Sequence, residues 1–348
     1  MASGEKTKKS SGSRFMISAA TFVIIVAGMR ASSSLLEPFL LSLFLATIFL
    51  SPFLWLQRKG IPQSLSLLIV ILGIIFIALL MATLIGTSVN DFSNNLPNYE
   101  KNLRGKTALI LTWLDNLGIK IPNQRQFLDS FDLKEPLRWV GSILSAFGVI
   151  ISQTFLIILT VVFLLLELSV FPEKLMSATK SPESGLAQFR KIHDNIKHYI
   201  SLKTIISLVT GFLVTIWLLI LGIDYPVLWG LLAFLLNFVP NIGSIIAAGP
   251  PVLLALIQIG PLASALVALG FLVINFLMGN IIEPRIMGKG LGLSTLVVFL
   301  SLVFWGWILG PVGMLLSVPL TMVLKIALDS HEETRWAAVL LGSETKPK

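Results

Sequence analysis

The chain has 348 residues, 55% of them hydrophobic and only 13% charged, with a mean hydropathy of +0.88. Soluble domains carry about 25% charged residues, so the composition excludes an ordinary water-soluble protein and points to a polytopic membrane protein. The absence of cysteine excludes disulfides, zinc-thiolate sites and thiol nucleophiles.

Residues 1–14 are polar and basic and read as a cytoplasmic tail. The apolar stretch Phe15–Met29 follows. The next residues, Arg30-Ala-Ser-Ser-Ser, offer no convincing signal cleavage site, so the stretch is expected to stay as a span. With Leu35–Leu56 and Leu65–Ser88 it forms an N-terminal group of transmembrane helices over 15–88, the runs lying near the ~20 residues that cross a bilayer. Glu37, just before Pro38, reads as an acid in the first turn of a helix.

Residues 89–140 form a polar, extracytoplasmic segment. Within it Leu103, Ile110, Trp113, Leu114 and Leu117 make an amphipathic helical stripe. A transmembrane helix is expected over 141–170. The cytoplasmic segment 171–203 carries a second stripe, Leu186, Phe189, Ile192, Ile196 and Tyr199. Arg190, Lys191, Lys197 and Lys203 are assigned to its basic face, suited to an anionic leaflet.

Residues 204–328 form the expected transport core, followed by a tail over 329–348. The core contains the apolar runs Thr204–Leu221, Val227–Ile259, Leu262–Ile282 and Leu291–Leu328. The second and fourth exceed one straight span and are broken by Asn237-Phe-Val-Pro-Asn-Ile-Gly243 and by Gly310-Pro-Val-Gly313. Proline removes a backbone donor and clashes with the preceding turn. At membrane depth such breaks are tolerated where they are buried in protein or line a watery cavity. Each run is therefore expected to be a hairpin, bent near Pro240–Gly243 and Gly310–Pro311.

The fold class is an all-α polytopic membrane protein of about eight membrane segments, two of them Pro/Gly-broken or re-entrant hairpins. Thr204–Leu221 with the first hairpin resembles in hydropathy Leu262–Ile282 with the second. The two units enter from opposite sides, as in the inverted repeats of secondary transporters. With both termini cytoplasmic, 18 Lys and Arg lie inside and 8 outside, which together make the 26 of the chain. The positive-inside rule favours that orientation. The net charge of +8 is thus read as membrane orientation, with no nucleic acid as partner.

Polar residues at membrane depth are few. Asn237 and Asn241 flank Pro240, with Ser244 beyond and Gln258 ending the hairpin; Asn275 and Asn280 lie in the next span. A bent helix exposes carbonyls and amides, and side-chain amides add donors and acceptors, enough to hold a small polar solute without formal charge. The substrate path is expected at Asn237, Pro240, Asn241, Gly243, Asn275 and Asn280, with Pro311, Gly313 and Pro319 shaping the opposing hairpin. The alternative is that these asparagines only satisfy the broken backbone or bond neighbouring helices. Glu37, Asp224 and Glu283 are the carboxylates that could couple transport to protons or sodium. Glu283 has Arg285 two residues on, and an interfacial ion pair between them is the simplest account. Glu167 also falls close to an interface.

Enzyme signals are absent. His193, His198 and His331 all lie in polar segments, which leaves no buried metal cluster. There is no Gly-x4-Gly-Lys-Ser/Thr phosphate loop, and Gly288-Lys-Gly-Leu-Gly292 follows no strand. No cofactor is expected.

The blocks Leu221-Gly-Ile-Asp-Tyr-Pro226, Trp229-Gly-Leu-Leu-Ala233, Asn237–Gly243 and Pro250 resemble a signature of the autoinducer-2 exporter family, the PerM-like permeases. Ile282-Glu-Pro-Arg-Ile-Met-Gly288 and Gly310–Pro319 are similar to that family's final signature. Ser244 stands where proline is frequent, and Ser294-Thr295 where His-Pro is frequent. The resemblance implies a multi-pass permease of the bacterial inner membrane that exports the furanone signal autoinducer-2 in quorum sensing. Some members are associated with sodium or lithium/proton antiport, which the resemblance leaves as the alternative on the same scaffold. The resemblance further implies a homo-oligomer, a pentamer by family analogy. A non-transporting membrane scaffold, binding partners through its outer loop and inner basic helix, is the third reading.

Overall fold

A computed structural model of the chain describes residues 11–116, 140–142, 154–178, 182–240, 242–287, 292–330 and 332–342. Asn241, Leu117, His331 and most of the segment between 117 and 153 lie outside the described residues. Among the described residues the secondary structure is helical throughout, with no strand. Among the described residues, five helices are long and apolar enough to cross a membrane.

The order is α1 (Ser11–Ala31), α2 (Ser33–Arg58), α3 (Gln63–Asn116), α4 (Thr154–Ala178), α5 (Pro182–Ile220), α6 (Pro226–Leu236) and α7 (Ile242–Gln258). Then come α8 (Pro261–Phe276), a π-helical stretch (Leu277–Ile282), α9 (Glu283–Met287), α10 (Thr295–Asp329) and α11 (Arg335–Leu340). Two expected joints are continuous helix. α3 runs through residue 88 and past Pro97 to Asn116, and α5 joins the polar segment to the span after it. Neither joint holds a proline, and the lone Pro97 lies within the polar half of α3.

Lipid tails are as apolar as leucine, so helix association rests on close packing and hydrogen bonds. α2 packs on α4 through fully buried Ala46, Phe53, Val161 and Leu165. α5 crosses α6 at two glycines. A Cβ on Gly230 would lie 1.8 Å from Thr215 Oγ1 and 2.6 Å from the Gly211 carbonyl. Any larger residue would push the helices apart.

Two hairpins define the core. α6 and α7 form the first, the chain reversing between Leu236 and Ile242. Within α10 the backbone leaves helical geometry at Leu309 and Gly310 (φ 55°, ψ −145°). Only glycine takes that region readily. Trp305 Nε1 donates to Thr321 Oγ1 at 3.0 Å. A straight helix would hold those residues about 24 Å apart at 1.5 Å per residue, so α10 folds back on itself.

The hairpins point in opposite directions. The first has its open end at Asp224 and Gln258, beside Tyr99 of α3, and its tip beside Ser207 of α5. The second has its tip beside Glu37, with Arg30 of α1 stacked 4.3 Å over Trp307. Its open end is tied by Lys325 Nζ donating to the Gly292 carbonyl and by Ser294 N–H donating to Leu341 O at 3.1 Å. Following α2 down and α3 back up puts the tip of the second hairpin at the Asp224 end of the bundle.

Candidate functional site

Chain reversal at the tip of the first hairpin leaves few backbone donors idle. Asn237 N–H donates to Ala233 O (3.0 Å), Val239 N–H to Leu236 O (2.9 Å) and Gly243 N–H to Val239 O (3.3 Å). The arms touch here. A Cβ on Gly243 would sit 1.8 Å from Leu236 O. The side chain of Asn237 is anchored to α5, its Nδ2 donating to Ser207 Oγ at 2.9 Å. Ser207 is fully buried.

Facing this tip, Asn275 on α8 donates Nδ2 to Phe271 O at 2.7 Å. The helix then widens into the π-helical stretch, a device often found at functional sites, which carries Gly279 and Asn280. Glu283 follows directly. Lys203 of α5 donates to both of its carboxylate oxygens, at 2.8 and 2.9 Å. The side chains are 6% and 21% exposed.

A cavity of about 660 Å³ lies between the first hairpin tip, α5, α8 and α10. That is within the range of roughly 300–1,000 Å³ typical of small-molecule sites. Asn237, Pro240, Asn275, Asn280 and Glu283, all singled out in the sequence, line it together. Tyr199, Lys203 and Ser244 join them, and Phe271, Val298 and Val318 supply apolar wall. The arrangement is apolar with a few convergent polar groups, which suits recognition of a small polar molecule.

Other expected residues fall elsewhere. Gly243 packs behind the wall, and Asn241 lies outside the described residues. Pro311, Gly313 and Pro319 belong to the second hairpin and are not in the lining. Gly313 lets the arms meet, since its Cβ would lie 2.0 Å from Trp305 O. Glu37 is no first-turn acid: α2 begins at Ser33 and places it beyond that turn, near Gly310. Glu167 pairs with Lys174 at 2.9 Å on the surface.

Asp224 sits in a separate polar cluster at the far end of the bundle. Its carboxylate accepts from Tyr99 Oη at 2.8 Å, its N–H donates to Gln258 Oε1, and its carbonyl accepts from Trp229 Nε1 at 2.9 Å. Asn95 Nδ2 donates to Tyr225 Oη at 3.2 Å. Tyr225, at φ 60°, is the one non-glycine residue with positive φ among the described residues.

The ion pair corrects two readings. Glu283 pairs across the bundle with Lys203, while Arg285 is exposed. Lys203 leaves the basic face because it follows Tyr199 by four residues, a helical neighbour on the apolar stripe. The spacing Ile192, Ile196, Tyr199, Lys203 held that signal. Lys197, by contrast, is exposed.

A sequence model of the AI-2E family transporters matches residues 19–333. The chain is 40% identical over 336 residues to the AI-2 transport protein TqsA of Escherichia coli K12, covering 96% of this chain and 97% of that protein. It is 36% identical over 331 residues to the putative transport protein YhhT of the same organism, covering 95% of each. The putative transport protein YrrI of Bacillus subtilis 168 is 28% identical over 308 residues, covering 84% of this chain and 85% of that protein.

Proposed function

The chain belongs to the AI-2E family of transporters, and from that premise we propose that it exports a small polar organic solute of the autoinducer-2 type from a bacterial cell. The observation that carries this reading is the cavity of about 660 Å³ at the broken hairpin, walled by Asn237, Asn275 and Asn280. Side-chain amides at a helix break match the hydroxyls and ring oxygens of such a solute. In the orientation favoured by the basic residues, both termini are cytoplasmic and the cavity opens near the inner face of the cell membrane. Oppositely pointing hairpins then give two units that can move against the N-terminal helices, with an ion gradient as the drive. Assembly into a homo-oligomer belongs to the same reading.

Proteoliposomes of the purified protein, with imposed pH and sodium gradients, test it. Labelled autoinducer-2 and a pH-sensitive dye are followed together. Gradient-dependent movement of the furanone is the expected result. Its absence from correctly inserted protein contradicts the proposal.

The second reading is sodium (or lithium)/proton antiport, favoured by a carboxylate, Glu283, in the cavity wall. It predicts a sodium-dependent proton signal without furanone movement. Glu37→Gln, Asp224→Asn and Glu283→Gln separate the candidate carboxylates. Retained antiport in all three contradicts a carboxylate-coupled mechanism.

A further inference from the structure

Solutes of the size this cavity takes come both neutral and as phosphates or carboxylates. A buried lysine in a wall ordinarily favours the anions. Here its charge is answered within the protein. Lys203 Nζ donates to Glu283 Oε1 at 2.8 Å and to Oε2 at 2.9 Å. The lysine side chain is 6% exposed against 21% for the glutamate. The glutamate is thus the more accessible member of the pair.

The amides lean the same way. Asn237 and Asn275 each use Nδ2 as a donor to the protein, to Ser207 Oγ and to Phe271 O. Among the described residues their Oδ1 atoms accept no hydrogen bond, and no buried side-chain nitrogen or oxygen is left without a partner. Those oxygens are therefore not sealed inside the protein, and both residues line the cavity. Beside Asn280, Tyr199 and Ser244, the wall presents these amide oxygens and a carboxylate, with its one lysine already clamped. A phosphate or carboxylate approaching it meets like charge and lone pairs. A hydroxyl-bearing guest meets acceptors for each of its donors.

We infer that Glu283 is the charge filter of the solute site: by holding Lys203 it admits neutral, hydroxyl-bearing solutes and rejects anionic ones. The inference deepens the proposed function and rests on the cavity being the solute site. Removing the carboxylate leaves an unpaired ammonium in the wall, so the same lysine becomes an anion site.

Inorganic phosphate is the probe, because its binding can be read without knowing the transported solute. Binding of labelled phosphate to the purified full chain is measured for wild type, Glu283→Gln and the double variant Lys203→Met/Glu283→Gln. The expected result is at least tenfold tighter phosphate binding in Glu283→Gln, lost again in the double variant. Adding Asn275→Leu to Glu283→Gln changes the gained affinity by threefold or more if the anion sits in this cavity. Should Glu283→Gln fail to fold, Glu283→Asp, whose shorter side chain loosens the clamp, is expected to bind phosphate at least threefold tighter. Phosphate binding at the wild-type level in the folded single variants, or gained affinity that survives removal of Lys203, overturns the filter.

Autoinducer-2 flux separates this failure from that of the parent reading. If Asn275→Leu alone leaves flux intact, the cavity is not the path and the filter falls while export stands; absence of flux from the correctly inserted wild type overturns the parent reading. If Asn275→Leu stops flux while Glu283→Gln gains no phosphate binding, only the filter falls.

Discussion

The two hairpins of the core look alike in sequence and differ in what they build. Each is a long apolar run broken by proline and glycine, and in each a glycine lets the arms touch. Gly243 faces Leu236 O and Gly313 faces Trp305 O, at 1.8 and 2.0 Å from an added Cβ. The first tip carries Asn237, which reaches across to Ser207 and borders a cavity. The second tip packs into an apolar cluster of Val26, Ile308 and Leu309, with Phe304 and Trp305 against it. Its arms are clamped by the bond from Trp305 to Thr321. A helix break alone does not make a site. The break must be combined with polar side chains whose neighbours leave them room.

Substitutions at matched places test that contrast. The largest effect is expected from Gly243→Ala, which drives a methyl into the backbone of the facing arm. Overpacking of this kind costs about 1–3 kcal/mol or more, and both thermal stability and flux should fall. A stable Gly243→Ala protein with normal flux would show that the arms need not touch.

Asn237→Leu comes next. It removes a polar group from the cavity wall and leaves the buried Ser207 hydroxyl without its partner, a cost of roughly 1–3 kcal/mol. Flux should drop at least tenfold in proteoliposomes while the protein still inserts. On the second hairpin, Gly310→Ala forces a side chain into a backbone region costing about 1–3 kcal/mol. It should lower the melting temperature in detergent and leave flux per folded molecule within a factor of three. The smallest effect is expected from Trp305→Phe, which removes one hydrogen bond worth about 0.5–1.5 kcal/mol. Flux should then be unchanged. A tenfold loss there would place the tip of the second hairpin in the path and erase the contrast.

Much of this architecture was legible in the sequence because a bilayer punishes unsatisfied backbone. Prolines and glycines inside runs too long for one span left little but a hairpin at 240 and at 310. Asn237, Asn275 and Asn280 stood out for a similar reason, as polar residues at depth. What was hidden depended on tertiary contact. Glu283 has Arg285 near it in sequence and Lys203 near it in space, eighty residues away. The stripe through Tyr199 continues to Lys203, yet a lysine among other lysines reads as surface until its partner is known. Composition equally gave no sign that Pro311 and Gly313 shape a sealed clamp while Pro240 borders an open wall.

The natural absence of cysteine offers a direct measurement. A single cysteine is introduced at Asn280, in the cavity wall, or at Trp307, exposed near the tip of the second hairpin. Each protein is reconstituted, and autoinducer-2 flux is measured before and after a small thiol reagent. The account predicts that labelling Asn280→Cys blocks flux and that added solute slows the labelling, while labelling Trp307→Cys changes neither. Full flux through a completely labelled Asn280→Cys protein would contradict it.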